Sequence, residues 1–276
     1  MNLRQTLLEA VERLEQHRVS SPRLNAEVLL AHCLSVDRTY LYTHDDRMLS
    51  DDEGQRFEDA LYERISGVPV QYIVGRQEFY GRYFTVTPAV LIPRPETEYI
   101  VETALELEPP PGAAIIDVGT GSGCIGVTLA LELPQARVII ADISLDALLV
   151  AKANAERLGA RVDIVCMDAL ESVSGSFDFI VSNPPYVSPA ETSYLQREVR
   201  DHEPSVALFA PDDGLGVIRR LIPVAERILR PGGYLIMEIG FGMEHRVFGL
   251  LGERWEKLPT KADLQGIPRT IVARTR

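Results

Sequence analysis

Asn183-Pro184-Pro185-Tyr186 follows directly on the apolar run Phe177-Asp178-Phe179-Ile180-Val181-Ser182. Such a run reads as a buried strand of a parallel sheet, and open α/β sheets bind ligands at the carboxyl ends of their strands. Prolines carry no N–H, so their carbonyls need partners from elsewhere and can point into a cleft. The Asn side-chain oxygen is a further acceptor, and the Tyr ring adds a flat face. Together the four residues suit a substrate with a planar NH₂ group. Asn183 and the Pro184 carbonyl take its two hydrogens while Tyr186 holds its plane. A plain strand-end turn is the competing reading, since Asn-Pro opens turns.

Upstream, Ile115-Ile116-Asp117-Val118 runs into Gly119-Thr120-Gly121-Ser122-Gly123, and an apolar helix is expected from Val127 to Leu133. Glycines there permit a tight turn and let backbone approach a ligand closely. The spacing departs from the dinucleotide fingerprint, because Gly123 falls one residue early. A loop packed against Asp117 leaves less room for pyrophosphate and more for a cationic ligand. The next strand, Arg137 to Asp142, ends in an acid roughly 20 residues beyond Gly119, where a ribose diol finds its acceptor. Capping the following helix is the other use for Asp142. Asp168, just past the strand Val162 to Cys166, is a further candidate.

A Gly-rich loop, a ribose acid and Asn-Pro-Pro-Tyr in this order resemble the pattern of N-methyltransferases that use S-adenosyl-L-methionine (AdoMet). Three stretches narrow the resemblance: Pro69-Val70-Gln71-Tyr72-Ile73-Val74-Gly75, Glu78-Phe79-Tyr80-Gly81 and Leu91-Ile92-Pro93-Arg94-Pro95-Glu96-Thr97-Glu98. With them, and with His202-Glu203-Pro204 and Asp213-Gly214-Leu215, essentially the whole chain resembles the PrmC/HemK family. That family methylates a glutamine side chain (N5) of class 1 peptide chain release factors. The resemblance therefore implies AdoMet as cofactor and a release factor as protein partner. It also implies that Gly119, Thr120, Gly121, Ser122 and Gly123 wrap the methionine part of AdoMet. Asp142 would bind the ribose hydroxyls, Asp168 would lie by the adenine, and Asn183 would touch cofactor as well as substrate. The family often places a large apolar or aromatic residue after that second acid to cover the adenine. Ala169 stands there in this chain. Arg94, Glu96 and Thr97 either bind the amino-acid end of AdoMet or tie their segment to the sheet.

Composition agrees. A net charge of −12 argues against gripping a phosphate backbone directly. That weakens an N6-adenine nucleic-acid methyltransferase, which would share Asn-Pro-Pro-Tyr. A non-catalytic AdoMet-binding module is disfavoured by the intact tetrapeptide, and an NAD dehydrogenase by the glycine spacing. Cys33, Cys124 and Cys166 lie far apart and read as small core residues of a reducing compartment. The scattered His and Cys give no metal site. No apolar run approaches a membrane span, and Glu9, Glu12 and Glu15 stand where a secretory signal would be basic and apolar. A cytoplasmic monomer is expected, with no membrane contact.

Three segments must position these residues. Residues 1–75 read as a helical N-terminal domain, with Leu3, Leu7, Leu8, Val11 and Leu14 at helical spacing. Ser21-Pro22 reads as a cap with proline in the first turn, and Ser50 with Glu53 as a capping box. Docking of the substrate is its expected role. Residues 76–94 read as a hairpin around Gly81 and a proline-stiffened linker. Residues 95–276 form the AdoMet-dependent methyltransferase domain, where alternating strands and helices predict a doubly wound α/β sheet. The family implies the class I fold, seven strands with the last antiparallel. Later elements are expected at Val217–Leu229, Tyr234–Ile239, Met243–Leu250, Trp255–Leu258 and Thr270–Ala273, with Arg230-Pro231-Gly232-Gly233 as connector.

Overall fold

The computed structural model describes residues 1–168, 173 and 175–276. The chain divides into two compact units, Met1–Arg76 with Gln196–His202, and Gln77–Leu195 with Glu203–Arg276. In the first, α1 (Leu3–Gln16), α2 (Pro22–Leu34), α3 (Arg38–Thr43), α4 (Asp51–Ser66) and α5 (Val70–Val74) enclose a core of Leu3, Leu14, Leu29, Leu30, Phe57 and Leu61. The capping box at Ser50 and Glu53 opens α4. Ser21 differs from its expected part. It stands before α2 in a left-handed conformation (φ 49°) and its side chain makes no capping bond. Asn25 Nδ2 instead donates to the Ser20 and Ser21 carbonyls, at 2.9 and 3.1 Å. Arg64, buried, donates to Asn25 Oδ1 (2.7 Å) and to Glu198, which ties the segment Gln196–His202 into this unit.

The second unit begins with the hairpin β1 (Arg76–Phe79) and β2 (Arg82–Thr85), turned by Tyr80 and Gly81 at φ 51° and 70°. Its main sheet holds β3 (Ala114–Val118), β4 (Arg137–Asp142), β5 (Val162–Cys166), β6 (Phe177–Ser182), β7 (Leu229–Glu238), β8 (Trp255–Ala262) and β9 (Pro268–Thr275). The strand order is β5-β4-β3-β6-β7-β9-β8, parallel except where β9 pairs antiparallel with β7 and β8. The chain winds outward from β3 in one direction and from β6 in the other. Their carboxyl ends therefore flank the switch point, where such sheets bind ligands.

Side chains alternate across the strands, so each sheet face has its own core. Ile115, Ile140, Phe179 and Ile236 pack with α6 (Glu98–Glu106), α7 (Cys124–Glu132) and α8 (Leu145–Leu158). Ile116, Ile180, Leu235 and Met237 pack with α9 (Gly216–Ile228) and α10 (Glu244–Leu250). Helices on both faces make this the class I methyltransferase architecture. Where α7 lies on β4, a Cβ on Gly126 would stand 2.4 Å from Ile140 Cγ2, so any side chain there would push helix and strand apart.

Three further expectations need correction. Helix α7 starts at Cys124, three residues before the expected Val127, because Gly123 at φ 83° ends the loop and caps it. Strand β7 starts at Leu229 and absorbs Arg230-Pro231-Gly232-Gly233. There Thr275 Oγ1 accepts from Gly233 N (3.1 Å) and donates to the Arg230 carbonyl (2.6 Å), satisfying backbone that a loop would expose. Cys33 and Cys124 are buried, but Cys166 is exposed, since β5 is an edge strand.

Candidate active site

Above the carboxyl ends of β3, β4 and β6 lies a cavity of about 350 Å³. Gly119, Thr120, Gly121, Ser122, Asp142, Asp168, Asn183, Pro184 and Pro185 all line it. Two candidates do not. Gly123 packs its Cα side against Ala151 and Val127, and Tyr186 packs with the core between the sheet and α9. Ala169 lies outside the described residues.

The loop is held from beneath by Asp117, whose Oδ2 accepts from the Thr120 hydroxyl (2.6 Å) and from Gly126 N (2.9 Å). Burial pushes the Asp117 carboxyl up to about 7, and its Oδ1 has no hydrogen-bond partner among the described residues. Gly119 and Gly121 take φ 71° and 54°, and a Cβ on either would meet nothing within 4 Å. Backbone here can come close to a ligand. Asp142 does not cap α8; Ser144 does, accepting from Ala147 N at 3.2 Å. Asp142 instead accepts from Gly121 N through Oδ2 and from Ser144 N through Oδ1, both at 2.9 Å. Each carboxylate oxygen keeps a lone pair for a hydroxyl. Asp168 pairs with Arg220 of α9 at 2.7 Å.

Asn183 is oriented by a chain of polar groups. Glu238, the last residue of β7, is buried, and its Oε2 accepts from the Thr97 hydroxyl at 2.6 Å. Thr97 Oγ1 in turn accepts from Asn183 Nδ2 at 3.1 Å. Tyr186 donates its hydroxyl to Glu238 Oε1 at 3.3 Å, and burial raises both groups, Glu238 to about 7. The Tyr186 ring lies so near Gly240 that a Cβ there would be 2.9 Å from Cδ2. The Asn183 amide nitrogen thus donates to Thr97, and its oxygen accepts no hydrogen bond among the described residues. Thr97 also lines the cavity, whereas Arg94 ties its segment down: its guanidinium meets Glu203 Oε1 at 2.5 Å, and Glu203 Oε2 accepts from Ile92 N at 3.2 Å.

Sequence reasoning did not find Glu238, nor the lining residues Ile143, Met167 and Phe209. An acid inside the apolar run Tyr234–Ile239 was the available signal for the first, and the position following Asp142 for Ile143. The residues fit AdoMet. A loop of open glycines over a buried carboxylate suits the α-ammonium of an amino-acid end. A strand-end acid suits a diol, and the apolar walls suit an adenine.

Two family models match the chain, the PrmC N-terminal domain over residues 5–75 and the Methyltransferase small domain over residues 97–200. A Release factor glutamine methyltransferase of Koribacter versatilis is 47% identical, with 99% of each chain covered. Another, of Nitratidesulfovibrio vulgaris, is 43% identical over 97% of this chain and 93% of its own. A 16S rRNA methyltransferase of T. thermophilus, solved with AdoMet and guanosine, is 21% identical and shares the fold, with 73% of this chain and 50% of that one covered at TM-score 0.52. Full-length likeness at this level of identity, together with both family models, places the chain in the release factor glutamine methyltransferase family.

Proposed function

We propose that this chain transfers the methyl group of AdoMet to the side-chain amide nitrogen (N5) of a glutamine in a class 1 peptide chain release factor. Family membership supports the substrate, and one observation carries the chemistry. Asn183 donates from Nδ2 to Thr97, which turns its oxygen, without a hydrogen-bond partner among the described residues, to accept from an incoming NH₂.

When bound, AdoMet supplies a methyl group already activated by its sulfonium. Presenting the nitrogen is the protein's part. A carboxamide nitrogen is a poor nucleophile, because its lone pair is delocalised into the carbonyl. Asn183 Oδ1 and the Pro184 carbonyl accept its two N–H hydrogens, Pro185 stiffens the turn, and Tyr186 faces the amide plane from the substrate side. Positive charge grows on the nitrogen as the bond to carbon forms, so both hydrogen bonds strengthen towards the transition state. Gly119, Thr120, Gly121 and Ser122 hold the amino-acid end of AdoMet, with Gly123 shaping the turn. Asp142 takes the ribose hydroxyls, and Asp168 Oδ1 the adenine amine. Ile143 and Phe209, which line the cavity, supply the apolar cover that Ala169 is too small to give.

Residues 1–75 dock the release factor, and the protein works as a cytoplasmic monomer without direct nucleic-acid or membrane contact. No helix among the described residues is long and apolar enough to cross a membrane, and the net charge of −12 opposes a phosphate backbone. The test is to incubate the full chain with AdoMet and a release factor and locate the methyl by tandem mass spectrometry. A single modified glutamine, and no transfer when it is replaced by glutamate, is expected. Methylated adenine in an oligonucleotide with an unmodified release factor would overturn the substrate. Retained AdoMet binding with no transfer to any acceptor would overturn the activity.

A further inference from the structure

A carboxylate only accepts hydrogen bonds, whereas a carboxylic acid also donates one. That difference has a consequence at Glu238, which is buried and stands two hydrogen bonds from the atom that meets the substrate. While Glu238 is ionised, the Thr97 hydroxyl must point its hydrogen at Oε2. Its oxygen then has only lone pairs to offer Asn183. The Asn183 amide can meet it solely through Nδ2, as observed, with Oδ1 turned out. Once Glu238 is protonated, the acid hydrogen can point at Thr97, whose own hydrogen is released to donate to Asn183 Oδ1. The amide then turns over and offers its NH₂ to the substrate's NH₂, donor against donor.

We infer that Glu238 is a positioning residue for methyl transfer, acting through Thr97 to fix which end of the Asn183 amide faces the substrate, so that turnover requires Glu238 to be ionised. The groups around it set where the switch falls. From the turn before α6, Glu96 disfavours the charge; from β9, Arg269 favours it, itself paired with Asp263 at 2.9 Å. From the loop after β6, Tyr186 donates to it, with Arg94 acting on the Tyr186 hydroxyl, and on α7 the Cys124 thiol, pushed up to about 12 mainly by its own burial, feels its charge. Burial outweighs the favourable contacts and places the carboxyl near 7. The acid form therefore populates as pH falls through neutrality, and activity is lost in that direction.

The inference rests on the proposed function, and the experiment separates the two. Single-turnover rates of the full chain, saturated with AdoMet and release factor, are measured between about pH 5.5 and 8.5. The wild type should lose about tenfold or more of kcat on the acid side, a part of what one preorganised partner is worth. Glu238→Gln, which carries donor and acceptor at every pH, should show the low rate throughout with no acid limb. Thr97→Ser should keep both rate and limb; Thr97→Val should lose both. Asp117 also titrates near 7, but it holds the glycine loop, so its protonation would appear in the KM for AdoMet. A flat wild-type profile, an acid limb that survives in Glu238→Gln, or a Glu238→Gln kcat within about twofold of wild type at high pH would overturn the inference alone. Absence of glutamine methylation at every pH would overturn it together with the proposed function.

Discussion

Removing the Asp142 carboxylate separates two jobs that the structure gives it. Its oxygens accept from Gly121 N and Ser144 N at 2.9 Å, so it orders the loop as well as facing the cavity. A hydrogen bond to a charged group contributes about 1.5–3 kcal/mol. One such bond to the ribose makes Asp142→Ala weaken AdoMet roughly 10- to 150-fold. The freed loop adds to this, because binding must then order Gly119 to Ser122, and the upper end of the range is expected. Calorimetry with AdoMet and with an analogue lacking the ribose hydroxyls divides the effect. In the wild type, losing the diol should cost the same 10- to 150-fold; in Asp142→Ala it should cost little, since the acceptor is already gone. Asp142→Asn keeps one acceptor and should fall between. Equal losses from the diol in both proteins, with the fold intact, would show that Asp142 only braces the loop.

Three further outcomes follow from the same geometry. Asn183→Ala should keep the fold and most AdoMet affinity while single-turnover kcat falls on the order of 10²–10³-fold; a loss seen only in AdoMet binding would contradict its place at the substrate. Gly126→Ala puts a Cβ 2.4 Å from Ile140 Cγ2 and should cost about 1–3 kcal/mol by denaturant melts; unchanged stability would mean that α7 can withdraw from β4. Asp117 and Glu238 are both raised to about 7 from ordinary values of 3.8 and 4.5, so the folded state holds more protons than the unfolded one across that window. Their stabilising contribution is complete below the ordinary values and is lost as pH rises through about 7, by about 4 kcal/mol for Asp117 and about 3 kcal/mol for Glu238, of which about 2 kcal/mol each falls between pH 5.5 and 8. Urea melts at pH 5.5 and 8 read it, Glu238→Gln should remove about half, and a wild type equally stable at both values would show these carboxyls to be unperturbed.

Local sequence carried what local physics decides. The glycine loop, the strand-end acids and Asn183 were legible because strand, turn and helix signals put them at one sheet edge. The limits of β4, β5 and β6 could be read from apolar runs alone. The polar chain behind Asn183 could not. Thr97 and Glu238 lie far apart in sequence and meet only because α6 packs against β7, which no periodicity reveals. The lone acid in Tyr234–Ile239 says only that a buried charge must have partners. The exposure of Cys166 was hidden for a related reason, because an apolar-looking strand does not declare itself an edge. Tyr186 differs again: its type announced an aromatic face, yet its hydroxyl bond to Glu238 and its fit against Gly240 come from tertiary packing.

A crystal structure of the full chain with S-adenosylhomocysteine and a glutamine-bearing release-factor peptide tests the central claim most directly. The glutamine nitrogen should lie within hydrogen-bond distance, about 2.9–3.0 Å, of both Asn183 Oδ1 and the Pro184 carbonyl oxygen. Asn183 Nδ2 should remain on Thr97, and the nitrogen should face the cofactor sulfur. A glutamine seated with its carbonyl oxygen against Asn183, or with its nitrogen held by other groups, would contradict the account.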